Sequence, residues 1–243
     1  MAEIYRTLAI LPLDAGRRRR DPQPMKTTIL IFPKLAALDA IGPYEVFRSV
    51  PGWEVSFVGL EKGPIRAEGG LGLSVDLALE EATEADAVLV PGGEGNRPLL
   101  GDERVLSWLR EMDAGTRWTT SVCTGSLVLG AAGLLEGKRA TSNWLFLDRL
   151  AEYGAEPVGG RYVEDGKTIT AAGVTAGLDM ALHLVSREAG PEVAQAVQLG
   201  LEYDPDPPFD SGSPDKAPAP IVELVRNFAG SSEEWVAAPS GSD

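Results

Sequence analysis

The stretch TSVCTGSLVLGAAGLLEGKRATSNW, Thr120–Trp144, sets a short β-branched run directly against a segment with apolar residues at helical spacing. The first part completes RWTTSV, 117–122, which reads as a strand; the second reads as a helix over about 124–134. Between them stands Cys123, the only cysteine in 243 residues. A strand that hands over to a helix within a residue or two is the building unit of α/β proteins. The same alternation continues outward. Strand patterns fall at 26–32, 54–60, 71–76, 86–91 and 167–172, and helix patterns at about 39–49, 97–113, 144–152, 175–188, 191–201 and 219–229. Several strands are apolar throughout, as expected when both sheet faces are covered. The expectation is an α/β fold with a doubly wound, mostly parallel sheet sandwiched by helices.

The two ends depart from this pattern. Residues 1–24 close on GRRRRDPQP, and Met25 opens the first clean strand, so 1–24 reads as an N-terminal extension, either a disordered or a docked arm. Residues 25–230 are expected to form a single α/β domain, and 231–243 a weakly ordered tail. The arginine run leads into Asp-Pro-Gln-Pro and not into an apolar stretch, which argues against a signal peptide. Residues 203–220, rich in Pro, Asp and Ser, are expected to run without regular structure over the domain surface or near the site.

Charge and cysteine usage narrow the function classes. With 22 Lys+Arg against 36 Asp+Glu, the formal charge is −14, which opposes nucleic acid and anionic membranes as partners. No apolar run reaches the roughly 20 residues of a membrane span. One cysteine excludes an internal disulfide and a thiolate metal cluster. The expected setting is a reducing cytoplasm. With one histidine as well, a zinc site of the usual ligands is not expected.

In open α/β sheets, ligands bind beyond the carboxyl ends of the strands. Cys123 sits at such an end. A strand–turn–helix junction there exposes a nucleophile, and the start of the helix is expected to favour its thiolate. The Thr124 N–H, left without an intrahelical partner, could stabilise a developing anion. Gly125 would allow close approach. The plain alternative is a small buried thiol. Two further loops reach the same sheet edge. Strand 86–91 ends in PGGEGN, where Gly92 and Gly93 could turn backbone N–H groups into a site or simply make a turn. Strand 26–32 leads to Asp39, either a helix N-cap or a poorly solvated carboxyl beside the thiol that stays protonated at neutral pH. The only histidine, His183, lies in the apolar helix ALHLVS and reads as a packed helix residue, so Cys–His catalysis is not expected.

These segments, with LIFPKLAALDAIGPYEVF, LVPGGEGN, TAAGVTAGLDMAL and LEYDPDPPFDSGSPDKAP, closely resemble the ThiJ/PfpI superfamily over about residues 26–229. They are most similar to isonitrile hydratases and to the sensor-like domains fused to AraC-type regulators. The resemblance implies a flavodoxin-like fold, a homodimer, no cofactor or metal, and a small-molecule substrate. It implies Cys123 as nucleophile, Asp39 as the acid bonded to it, Thr124 as the residue that follows the nucleophile in hydratases, and Gly93 as a backbone donor near the thiol. Where relatives tend to read THW, this chain has Ser142, Asn143 and Trp144. Asn143 and Trp144 are expected to line the substrate pocket with Gly92 and Gly93, Trp144 having a core role as its alternative. The implied activity is hydration of an isonitrile, R–NC, to an N-substituted formamide. A glyoxalase- or deglycase-like activity and a non-enzymatic redox or ligand sensor are the alternatives.

Overall fold

In the computed structural model, which describes residues 23–230, the chain folds around a seven-stranded sheet. The elements in chain order are β1 (Met25–Leu30), α1 (Ala37–Phe47), β2 (Trp53–Gly59), β3 (Gly63–Arg66), β4 (Gly72–Val75), β5 (Leu77–Ala78) and β6 (Ala87–Val90). There follow α2 (Asn96–Leu99), α3 (Glu103–Gly115), β7 (Trp118–Val122), α4 (Gly125–Ala131), β8 (Arg139–Ala140) and β9 (Glu156–Pro157). The last are β10 (Tyr162–Asp165), β11 (Thr168–Ala171), α5 (Ala176–Ala189), α6 (Pro191–Gly200) and α7 (Ala219–Gly230). The expectations for residues 1–22 and 231–243 lie outside the described residues.

The sheet order is β10-β11-β7-β6-β1-β2-β5, and every pairing is parallel except β10 with β11. From β1 the chain builds outward through β2 and β5, then returns to lay β6 on the other side of β1. The winding direction therefore reverses between β1 and β6, which opens a crevice at their carboxyl ends. β1, β6, β7 and β11 are almost wholly buried, as helix cover on both faces requires. Ile29, Leu89, Val122, Leu127, Met180 and Leu184 are among the fully buried side chains of one continuous core. Burial of each contributes about 1.5–3 kcal/mol relative to exposure.

Several expected elements are corrected. The single helix at 97–113 is two, α2 and α3, because Asp102 caps a new start: its Oδ1 accepts the Arg104 N–H at 3.0 Å. The segment 71–76 yields β4, which pairs with β3 in a separate hairpin and not with the main sheet. The helix at 144–152 is a 3₁₀ stretch, Leu147–Tyr153, that ends at left-handed Gly154. The sequence reading also missed β10, which joins β11 through a tight turn at Gly166 and Lys167. Residues 203–218 carry no regular secondary structure and are tied to the body through Tyr203, whose hydroxyl donates to Asp179 Oδ1 at 2.8 Å. Among the described residues, no helix is long and apolar enough to cross a membrane.

Candidate functional site

Three loops meet at the crevice. The first turn of α1, after the β1–α1 loop, brings Asp39, the β6–α2 loop brings Gly92 and Gly93, and the β7–α4 junction brings Cys123. Cys123 has φ 58°, the left-handed region. For a residue with a Cβ this costs about 1–3 kcal/mol, so its surroundings must hold it there. They do so from both sides. Its N–H is shared between the carbonyls of Ala171 at 3.1 Å and Ala172 at 3.0 Å, at the end of β11. Its carbonyl accepts from Ser126 Oγ at 3.1 Å and Ser142 Oγ at 3.0 Å. The junction is also closely packed. A Cβ on Gly125 would lie 2.0 Å from the Val90 carbonyl oxygen, and one on Gly92 would lie 2.7 Å from Cys123 Cβ.

Asp39 is fully buried in the first turn of α1. It is not the N-cap: that position is Ala36, and the Asp39 N–H donates to the Ala36 carbonyl at 3.0 Å. Its side chain instead turns inward, where Oδ2 accepts the Gly92 N–H at 2.9 Å. Oδ1 has no hydrogen bond of ordinary geometry among the described residues, and the Cys123 thiol makes a weaker interaction with the carboxyl. Burial pushes the Asp39 carboxyl up to about 7; Gly92 opposes this, Glu68 reinforces it, and the thiol again opposes it. Near neutrality this group therefore takes up and releases a proton readily.

The thiol departs from expectation. The start of α4 was expected to favour a thiolate, yet burial, reinforced by the Asp39 charge, pushes Cys123 up to about 12. The Thr124 and Val174 N–H groups and the Asn143 side chain pull in the opposite direction, but these neutral donors do not outweigh the burial of Cys123, a residue only 7% exposed, beside a carboxyl. The resting site thus holds a thiol, with a carboxyl at hand to accept its proton.

The glycine turn serves the site differently from expectation. Gly92 and Gly93 do not present free N–H groups to a ligand. Gly92 N–H is taken by Asp39, and Gly93 N–H donates to Thr124 Oγ1 at 3.2 Å. Thr124 Oγ1 also accepts from Asn96 Nδ2 at 3.1 Å, so this hydroxyl ties the β6–α2 loop to the start of α4. Thr124 N–H faces the sulfur. Trp144 is half-buried, with the Arg226 guanidinium of α7 5.5 Å from its ring centre, and so is not a core aromatic. His183 stacks on Tyr162 and pairs with Glu164 of β10. An open groove of about 320 Å³ runs beside it, lined by Asp179, Gln195 and Tyr203 among others. That groove includes none of the residues around Cys123.

Val174, Glu68, Asn96 and Ser142 were missed by the sequence reading. Asn96 ends PGGEGN and Ser142 precedes Asn143, so both lie on segments already placed at the crevice, whereas nothing in the local pattern of Glu68 brings it there. Val174 adopts φ 32°, which no β-branched side chain advertises. Among the described residues no group of three or more His, Cys, Asp or Glu could hold a metal ion.

The chain is similar to known proteins over most of its described length. The pattern of the DJ-1/PfpI family matches residues 25–187. Over 200 residues the chain is 48% identical to isonitrile hydratase of Pseudomonas putida, covering 82% of this chain and 88% of that protein. It is 36% identical to the HTH-type transcriptional regulator CdhR of Pseudomonas aeruginosa, over 62% of this chain but only 44% of the regulator. The crystal structure of a ThiJ/PfpI family protein from Pseudomonas syringae superimposes with a TM-score of 0.85 at 34% identity, covering 91% of this chain and 93% of that one.

Proposed function

The chain belongs to the DJ-1/PfpI family, and from that premise we propose that it is an isonitrile hydratase, adding water to R–NC to give an N-substituted formamide. The observation that carries this reading is the pairing of Cys123 with a fully buried Asp39 whose proton affinity lies near neutrality. An isonitrile carbon must gain both a nucleophile and a proton, and these two groups supply one each.

Asp39 carboxylate takes the thiol proton as Cys123 Sγ bonds to the isonitrile carbon. The electron pair developing on that carbon takes the proton back from Asp39, leaving the thioimidate R–N=CH–S. Water then adds to the same carbon. Asp39 receives one water proton and delivers it to nitrogen, giving R–NH–CH(OH)–S. The C–S bond breaks as C=O forms, and the hydroxyl proton returns through Asp39 to sulfur. R–NH–CHO leaves, and both side chains regain their starting state. The Thr124 and Val174 N–H groups receive the charge on the departing sulfur.

For the assembly we propose a homodimer, and for the compartment a reducing cytoplasm, which suits a lone thiol. The net charge of −14 supports a small-molecule substrate over nucleic acid or an anionic membrane. Partial similarity to a regulator raises a sensor as the second reading. A redox sensor works best with an exposed, low-pKa thiol, whereas Cys123 is 7% exposed and shifted upward.

The test is incubation with an aryl isonitrile, with the formamide followed by chromatography. The wild type is expected to turn over, and Cys123→Ala to give no formamide above background. A folded, reduced wild type that makes none would overturn the assignment.

A further inference from the structure

Asn143 follows β8 and lies against the loop that leads from β11 to α5. Its amide has two ends, and the structure shows which one is already engaged. Oδ1 is taken: it accepts the Leu145 N–H at 3.0 Å, in the turn that leads into the 3₁₀ stretch. Nδ2 is therefore the end left for its neighbours. A Cβ built on Gly173 would come within 3.0 Å of Nδ2, so the amide occupies the space that the missing side chain leaves free. Gly173 lies beside Ala171 and Ala172, whose carbonyls hold the Cys123 N–H, and beside Val174, whose N–H faces the sulfur. The preceding residue, Ser142, is fastened to the Cys123 carbonyl at 3.0 Å. Asn143 is thus set between a neighbour of Cys123 and the β11–α5 loop, it acts on the thiol in the direction that favours the thiolate, and Nδ2 is its uncommitted end.

We propose that Asn143 is a further catalytic residue, its Nδ2–H donating to Cys123 Sγ and stabilising the sulfur anion as the thioimidate C–S bond breaks. Leu145 and Gly173 are the positioning residues that orient it. With the Thr124 and Val174 N–H groups this makes three neutral donors around one sulfur. The role differs from the substrate-lining one expected from sequence. A neutral donor suits the site. It favours the thiolate without titrating and without a positive charge that would hold Asp39 ionised. The titratable group acting directly on the sulfur is Asp39 from α1, with Glu68 acting on Asp39 from between β3 and β4. The catalytic step rests on the hydration reading, but the donor contact can be tested without substrate.

The experiment measures alkylation of Cys123 by iodoacetamide from pH 6 to 10, using intact-protein mass spectrometry. As the only cysteine, it gives an unambiguous signal. Below the thiol pKa the rate follows the thiolate fraction. Asn143→Leu removes the donor. Gly173→Ala leaves Asn143 in place but crowds its Nδ2 at 3.0 Å and so displaces the donor, and guards against a simple packing defect in the first variant. Loss of a hydrogen bond to a charged group is expected to slow both variants about tenfold or more across this range. Each must keep the wild-type near-ultraviolet dichroism; if Asn143→Leu does not fold, Gly173→Ala decides alone. A wild-type rate profile in either folded variant would overturn the proposal. A protein inactive on isonitriles that still shows the tenfold loss would keep the donor contact and lose only the assigned reaction.

Discussion

Asp39 is the residue at which stability and chemistry pull apart. Its carboxyl is fully buried, accepts one backbone N–H, and lies near 7 against an ordinary value of 3.8. The folded protein prefers the neutral acid. That preference stabilises the fold fully below about pH 4 and is lost as pH rises through about 7. Asp39→Asn keeps an acceptor for Gly92 and never ionises. It is expected to unfold at a higher temperature than wild type at pH 8, by the equivalent of about 2–4 kcal/mol, with the advantage vanishing near pH 4. The same variant should lose about 10²–10⁴-fold in kcat, together with the rise of kcat/KM that ionisation of Asp39 near pH 7 imposes on wild type. Calorimetry across pH and steady-state kinetics check the two halves. Equal stability at pH 8 would mean that the carboxyl is better solvated than its burial indicates. The residue types at Cys123 and Asp39 were legible because each follows a strand end. The protonation of the thiol was not, because a helix start can be read from the chain whereas burial beside a carboxyl depends on a loop more than 80 residues away.

The β7–Cys123–α4 junction works as one element because backbone and side-chain groups from several places close around it. The Ala171 and Ala172 carbonyls hold its N–H, the Ser126 and Ser142 hydroxyls hold its carbonyl, and Gly92 lies flat against it. Gly92→Ala would place a methyl group 2.7 Å from Cys123 Cβ and Thr124 N. Neither backbone can yield without moving the thiol or the Asp39 hydrogen bond. The expected outcome is a loss of about 1–3 kcal/mol in stability and a fall in kcat larger than the change in KM. Chemical unfolding with kinetics on the same sample tests this, and an unchanged kcat would show that the junction tolerates displacement. Some element errors had readable causes. Gly101-Asp102 signals a new helix start, and Asp165-Gly166 signals a tight hairpin. Val174 had no such signal, since its positive φ is imposed by the β11–α5 turn that packs on Cys123.

At the scale of the molecule, the reversal of strand order between β1 and β6 explains why one crevice collects the chemistry. Alternating strand and helix patterns made the layered architecture legible, because fully buried strands have little choice of residue. The β3–β4 hairpin was not legible as a separate unit: its residues alternate like any strand, and only its failure to pair with the main sheet distinguishes it. That hairpin nevertheless reaches the site, since Glu68 between its strands accepts the Glu94 N–H at 2.7 Å and acts on Asp39. Hydration by this route requires a bond between the Cys123 sulfur and the isonitrile carbon. Its most direct test is to mix enzyme with excess aryl isonitrile, quench in acid at successive times, and weigh the intact protein. A transient species heavier than the free chain by the mass of the isonitrile is expected, located on Cys123 and decaying as formamide appears. Formamide that accumulates while Cys123 keeps its unmodified mass, and that Cys123→Ala makes equally well, would contradict it.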